Sequence, residues 1–238
     1  MASTSDPHSV DATAPWQLSL LGFWQLRRKQ QPVDVGGNVR RLLALLALKG
    51  SRDRSYIAGL LWPEHTESHA HGNLRATLSR LHQRRVDVLD ISGQALSLPA
   101  SVAVDVHDFL ATADTVLKAS ASAQNGALAR LRGGELLPGW YDDWILAERE
   151  RLRQLRLHAL EALAAQLAGA GQWAAALDAA LCAVAIEPLR ESAHRTVITV
   201  HLAEGNRAEA ERQYRYLRQL LADELGAKPS RLVSDLLS

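Results

Sequence analysis

The apolar residues of this chain change period twice, from two to 3.6 and back to two, before settling into helical spacing for the remainder. That order constrains the fold more than any other feature of the sequence. Between 16 and 35, WQLSLLGFWQLRRKQQPVDV alternates apolar and polar positions, with Leu18, Leu20, Phe23, Val33 and Val35 on the apolar side. Punctuated by Gly22 and by Gln30-Gln31-Pro32, this predicts a small antiparallel sheet of about three short strands. The next stretch, VRRLLALLALK at 39–49, packs five leucines into a helix that stops at Gly50, with Asn38 as its cap. A second helix is predicted over 51–61, with Tyr56, Ile57, Leu60 and Leu61 as its apolar stripe and Trp62-Pro63 as its end. A third is predicted over 69–84, where Leu74, Leu78 and Leu81 recur at i, i+4 and i+7. Gly72 costs about 1 kcal/mol against alanine inside a helix and argues for a start after it. Residues 86–98, VDVLDISGQALSL, return to period two around Ser92-Gly93-Gln94 and read as a β-hairpin.

From Pro99 the pattern is helical. Residues 105–118 form one helical segment, 120–126 a polar interruption, Gly133-Gly134 with Pro138-Gly139 a turn region, and 144–168 a long helix. Leu146, Leu152, Leu155, Leu157, Leu160, Leu163 and Leu167 are apolar positions of that long helix. Aligning AGAGQWAAALDAAL with AEGNRAEAERQYRYL superposes Gly171 on Gly205, Ala176 on Ala210 and Ala180 on Tyr214, a period of 34 residues. Pro188 falls between the two units. The period is that of a tetratricopeptide-type helix pair. The expected fold is therefore mixed: an N-terminal α+β winged helix-turn-helix at 16–104, then an all-α tetratricopeptide-like domain at 105–238. A disordered tail is expected at 1–15.

Composition supports globular folding, with 47% hydrophobic and 22% charged residues among 238. The net charge of +1 averages unlike parts. Residues 16–98 hold 12 basic and 6 acidic residues, a net +6, whereas 99–238 hold 15 and 18, a net −3; the tail adds Asp6 and Asp11. The basic part is where nucleic-acid contact is expected. A single cysteine, Cys182, allows no intramolecular disulfide and fits a reducing compartment. No apolar run approaches the roughly 20 residues that span a bilayer, and the first fifteen residues lack a signal-peptide pattern, so no membrane contact is expected and the cytoplasm is the expected location.

Reading DNA bases directly takes an exposed helix with hydrogen-bonding side chains, supported by cations for phosphates. The 69–85 segment supplies both. Arg75 and Arg80 can pair with guanine and Asn73 with adenine, while His69, His71, Ser79 and Gln83 reach bases or phosphates and Arg84 and Arg85 serve the backbone. Arg27, Arg28, Arg40 and Arg41 are further phosphate contacts, and Ser92, Gly93 and Gln94 form the tip of the wing. A helix followed by a hairpin is the order of a winged helix-turn-helix, which makes this face more than solvated surface.

Other chemistries are weakly represented, and neither cofactor, metal nor catalysis is expected. His65, His69 and His71 suggest a metal site, but His65 and His69 share a face only if the helix already includes 65, and no cysteine lies near them. Asp142, Asp143 and Glu148 have no nucleophile or partnered base and suit a helix start. Cys182 lies in an apolar run, as a core cysteine does. Gly36-Gly37 lacks the lysine of a phosphate loop. Trp140, Trp144 and Trp173 read as packing residues. The competing function class is a protein-interaction adaptor working through the helical repeats, with little specific DNA binding.

The residues also carry a family resemblance. RRLLALLAL, LLWPE and NLRATLSRLHQR, followed by the hairpin and VDVHDF at 104–109, resemble the DNA-binding half of the Streptomyces antibiotic regulatory protein family. GELLPGWYDDWILAERERLRQLRLHALEALA at 134–164 is similar to the opening of that family's bacterial transcriptional activator domain. The resemblance covers nearly all of 16–238. It implies an OmpR-like winged domain that binds direct repeats in double-stranded promoter DNA, pairing of protomers on that DNA, and contact with RNA polymerase and its sigma factor. It assigns the groove to Asn73, Arg75, Ser79 and Arg80. The chain departs from the family's usual pattern at His69-Ala70-His71-Gly72, where members more often carry arginine or small helix formers.

Overall fold

The computed structural model describes residues 16–118 and 126–237. The expected tail at 1–15 and nearly all of the interruption at 120–126 lie outside the described residues. The described residues divide into two compact units, one of 16–107 together with Leu137–Gly139, the other of the described residues from Asp108 to Leu136 and from Trp140 to 237.

The first unit opens with β1 (Trp16–Ser19), β2 (Gln25–Arg28) and β3 (Gln31–Pro32), the three strands the alternation predicts. They pair antiparallel in sequence, and β7 (Ala103–Val104) joins β1 in parallel, giving the order β3-β2-β1-β7. Leu18, Leu20 and Leu26 are buried, but Phe23 sits in the β1–β2 turn, outside the alternation, and is 56% exposed. Helix α1 (Gly37–Lys49) buries Leu42, Leu43, Leu45 and Leu46 and ends at Gly50, whose φ of 70° suits glycine. Its N-cap is Gly36 and not Asn38, which lies inside the helix; no side chain caps this end.

The second helix is shorter than predicted. Arg52–Asp53 form strand β4, and α2 runs from Arg54 to Leu61. Two residues are too few to show a period of two, so the pairing partner is what reveals β4. That partner is β6 (Ala95–Ser97), which also pairs with β5 (Asp90–Ser92) to give a second sheet ordered β4-β6-β5. Tyr56 leaves the expected stripe and lies exposed, with the Arg52 guanidinium 5.5 Å from its ring centre. Helix α3 spans Glu67–Gln83, starting before Gly72 and not after it. Its packing seam against α1 and α2 outweighs the glycine's cost.

Chain entry into α4 (Asp105–Leu117) is held by one carboxylate. Both Asp105 carboxylate oxygens accept from Leu20 N–H at 3.0 Å, while Leu21 and Val106 N–H donate at 3.0 and 2.8 Å. His107 Nε2 lies 2.7 Å from the Ala47 carbonyl of α1.

The second unit contains α5 (Ala127–Leu131), α6 (Asp143–Gly169), α7 (Trp173–Ile186), α8 (Glu191–Glu204), α9 (Arg207–Leu225) and α10 (Arg231–Ser234). From α6 to α9 each helix packs on the next, two antiparallel pairs as the 34-residue period predicts. Gly171 and Gly205 close the turn within each pair at φ 72° and 90°. Ala176, Ala180 and Ala210 are fully buried, where small side chains allow close helix approach. Leu152, Leu157, Leu160, Leu163 and Leu167 lie inward, Leu155 is half-buried, and Leu146 is 40% exposed. Ile198, Ala210, Leu217, Leu221 and Val233 form the core beneath α10.

His194 is fully buried between α8 and α9. Its Nε2 lies 2.8 Å from the Pro188 carbonyl and its Nδ1 2.7 Å from Gln213 Nε2, partners that suit a neutral ring donating through Nε2. Burial lowers its pKa below the usual 6.5, against the raising effects of the Pro188 carbonyl and Glu191. The unfolded chain therefore takes up this proton first as pH falls. The stabilisation is complete above about pH 6.5 and is lost as pH drops from there towards the folded-state value. Thermal midpoints measured between pH 8 and 5 should fall below about pH 6.5, and less so in His194→Asn. In the first unit, Asp105→Ala should destabilise by about 1–3 kcal/mol in chemical denaturation, through amides left without an acceptor.

Candidate nucleic-acid interface

One seam orients α3. Ala70, Leu74, Thr77 and Leu81 are buried at spacings of four, three and four. Thr77 occupies a position where sequence periodicity favours Leu78, and its hydroxyl donates to the Asn73 carbonyl at 2.8 Å, so no polar atom is stranded. Leu78 is half-buried at the seam's edge. With the seam inward, the 100° step turns His69, Arg75, Ala76, Ser79, Arg80 and Gln83 outward, and all six are exposed. The only acid in α3 is Glu67 in its first turn. Gln83 Nε2 lies 3.4 Å from Ser79 Oγ, one turn away on the same face.

Not every expected site residue shares that face. Asn73 is half-buried, on the flank next to Thr77. His71 is half-buried too, with Nε2 3.3 Å from Ser55 Oγ of α2 and 3.9 Å from Glu67. Among the described residues no group of three or more His, Cys, Asp or Glu stands where it can hold a metal ion.

The expected phosphate contacts divide in the same way. Arg84 Nη1 donates to the Asp34 carbonyl at 2.9 Å, tying the end of α3 to the β3–α1 connection. Arg40 donates to the Val35 carbonyl at 2.9 Å and to the Asp34 carboxylate at 2.7 Å, and its guanidinium lies 5.0 Å from the Trp24 ring centre. Arg28 lies over Trp16 at 5.1 Å, across the strand register that pairs them. Arg27 and Arg41 are half-buried. Arg85 is exposed directly after α3 with φ 53°, left-handed backbone that glycine or asparagine adopts at lower cost.

The hairpin tip is open. Ser92, Gly93 and Gln94 are exposed, and Gly93 opens the two-residue turn at φ 58°. The Gln94 carbonyl accepts from Arg54 N–H at 3.1 Å, which fixes the tip to the start of α2. Arg52 and Arg54 thus flank the wing, Arg52 paired in register with Leu96 and Arg54 bonded to the tip, positions that the local sequence pattern does not mark because β4 is only two residues long.

In the second unit the ERERLR segment holds its preceding loop in place. Arg149 donates to the Leu136 and Trp140 carbonyls, both at 2.9 Å, and pairs with Glu135 at 3.1 Å. Glu148 is buried and accepts from Arg151 at 2.7 Å, so of the three expected helix-start acids only Asp142 and Asp143 stand at the start of α6. Trp144 is buried, as a packing residue should be. Cys182 is half-buried, with Arg132 Nε 3.0 Å from its sulfur. No helix among the described residues is long and apolar enough to cross a membrane.

Comparison with known proteins agrees with this architecture. The regulatory protein AfsR of Streptomyces coelicolor is 31% identical over 236 residues, which is 94% of this chain and 24% of AfsR. The chain thus spans about a quarter of that relative's length. Mycobacterium tuberculosis EmbR, solved in complex with a low-affinity phosphopeptide, superposes with a TM-score of 0.73 at 23% identity, over 94% of this chain and 64% of EmbR. That likeness shows a shared fold. Residues 104–237 match the bacterial transcriptional activator domain. The chain belongs to the bacterial transcriptional activator domain family.

Proposed function

We propose that the chain binds promoter DNA through the outward face of α3 and activates transcription through its helical domain. The observation that carries this reading is the acid-free exposed row of Arg75, Ser79, Arg80 and Gln83 in the same unit as an open hairpin tip. A helix of this kind fits a major groove about 12 Å wide, and a paired arginine–guanine contact discriminates by about 1–3 kcal/mol. Arg75 and Arg80 read bases, Ser79 and Gln83 support them, and His69 and Asn73 lie at the margins. His71, turned towards Ser55, contributes by positioning α2 against α3. Arg84 and Arg40 brace the β3–α1 connection and meet phosphate from there. The wing tip, Ser92 to Gln94, reaches the adjacent backbone.

The domain reading assigns 16–104 to DNA and 105–238 to the activator function. Family membership supports direct repeats as the target, bound by a pair of protomers, and RNA polymerase with its sigma factor as the protein partner. The split of charge, +6 in the front segment and −3 behind, suits a module for DNA joined to one for protein.

Arg75→Ala and Arg80→Ala should each weaken binding to the upstream promoter by about 1–3 kcal/mol in gel-shift titrations and relax base preference, with unfolding midpoints unchanged. Equal affinity and selectivity in both variants would contradict the assignment. Arg85→Gly should leave the thermal midpoint no lower than the parent's, because it relieves left-handed backbone strain of about 1 kcal/mol or more. The same change should lower DNA affinity at every sequence and reduce the salt slope by about one phosphate contact.

A further inference from the structure

The second unit contains a cleft of about 510 Å³ that its packing role does not account for. The volume lies within the range of about 300–1,000 Å³ common to small-molecule sites. Its apolar surface comes from Leu136 and Leu152, both nearly fully buried, with the more exposed Leu146 and Ile186. Four arginines and two glutamates line it, leaving a net charge of +2.

Three of the four arginines are already matched by carboxylates. Arg132 pairs with Asp178, Arg149 with Glu135, and Arg153 with Glu150 and Glu187. Glu150 is held down to about 2 by Arg153 and Gln154, so it stays ionised. Arg156 is different. It is 7% exposed, its Nη2 donates to the Gly134 carbonyl at 2.8 Å, and its guanidinium lies 5.1 Å from the Phe109 ring centre. Among the described residues its buried Nε has no acceptor, and no carboxylate of theirs stands within ion-pair distance of it. Burial pushes its pKa down, with Glu135 opposing from a distance. A guanidinium this buried ordinarily has a hydrogen-bonded anionic partner, because taking the charge out of water costs several kcal/mol.

We propose that this cleft is a binding site for a small organic anion with an apolar body, its carboxylate or equivalent acid group meeting Arg156 and its hydrophobic part lying against Leu136, Leu146, Leu152 and Ile186. Among the four arginines that line the cleft, the one without a carboxylate partner among the described residues gives charge selectivity, and the apolar side chains beside it give orientation. The cleft is lined by residues of the second unit alone, so its test does not depend on the proposed DNA reading.

The probe is 1-naphthoate, compared with the uncharged 1-naphthamide, titrated calorimetrically into the full chain at 0.15 M salt. Naphthoate should bind with one-to-one stoichiometry and a Kd about ten-fold or more below that of the amide. Arg156→Met should remove the preference while retaining the helical circular dichroism, since a buried cation replaced by a hydrophobic side chain of similar length is often tolerated. Leu146→Glu, at an exposed position on the cleft, cannot disturb the core and should weaken naphthoate binding about ten-fold by placing a like charge beside it. If Arg156→Met fails to fold, Leu146→Glu decides. No saturable binding of naphthoate, equal binding of acid and amide, or an unchanged preference in Leu146→Glu would overturn the site.

Discussion

The burial of Ala70, Leu74, Thr77 and Leu81 against α1 and α2 is the constraint from which the proposed DNA face follows. At 3.6 residues per turn a helix cannot bury that row without presenting the opposite one to solvent. The leucine-rich α1 provides the floor, and α2 the side wall. Thr77 shows how tightly the seam is specified, because a polar residue is admitted only where its hydroxyl can return a hydrogen bond to the preceding turn. The exposed basic row is thus a consequence of core packing, and its chemistry is free to vary without cost to the fold.

Motifs that carry the family signature turn out to be structural in large part. Asp105 of VDVHDF gathers three backbone amides, and Arg149 of ERERLR gathers two carbonyls. Such ties join a charged side chain to backbone groups that would otherwise lack partners, which explains why those residue types are needed at those positions. They report the fold reliably and say little about the promoter. In the proposed reading, what distinguishes this chain lies in the exposed positions of α3, in the wing tip and in the arginine-lined cleft.

Much of the fold was legible in the sequence because period and punctuation survive into structure. The three opening strands, the hairpin around Gly93 and the 34-residue helix pairing follow from alternation, turn glycines and small residues at matched positions. The differences have physical causes. β4 is two residues long and exists through its partner β6, so no local pattern announces it. Helix α3 starts before Gly72 because tertiary packing outweighs a local propensity of about 1 kcal/mol. Phe23 and Tyr56 are hydrophobic in type but exposed, Tyr56 with its ring beside Arg52. The proposed site is a helix face that the sequence pattern already outlines, whereas the inward turn of His71 and the bracing roles of Arg40 and Arg84 depend on partners distant in sequence. Arg156 could not have been singled out at all, since its isolation is a property of the packed unit.

The most direct test of the DNA face is directed cleavage from a single attachment point. With Cys182→Ser removing the native thiol, Ser79→Cys carries an iron chelate, and cleavage of the bound promoter fragment is mapped on both strands. The account predicts short clusters of cuts centred in the major groove of each repeat, absent when the chelate is carried by Leu232→Cys of the helical unit. Uniform cleavage along the fragment, or the same pattern from both attachment points, would contradict it.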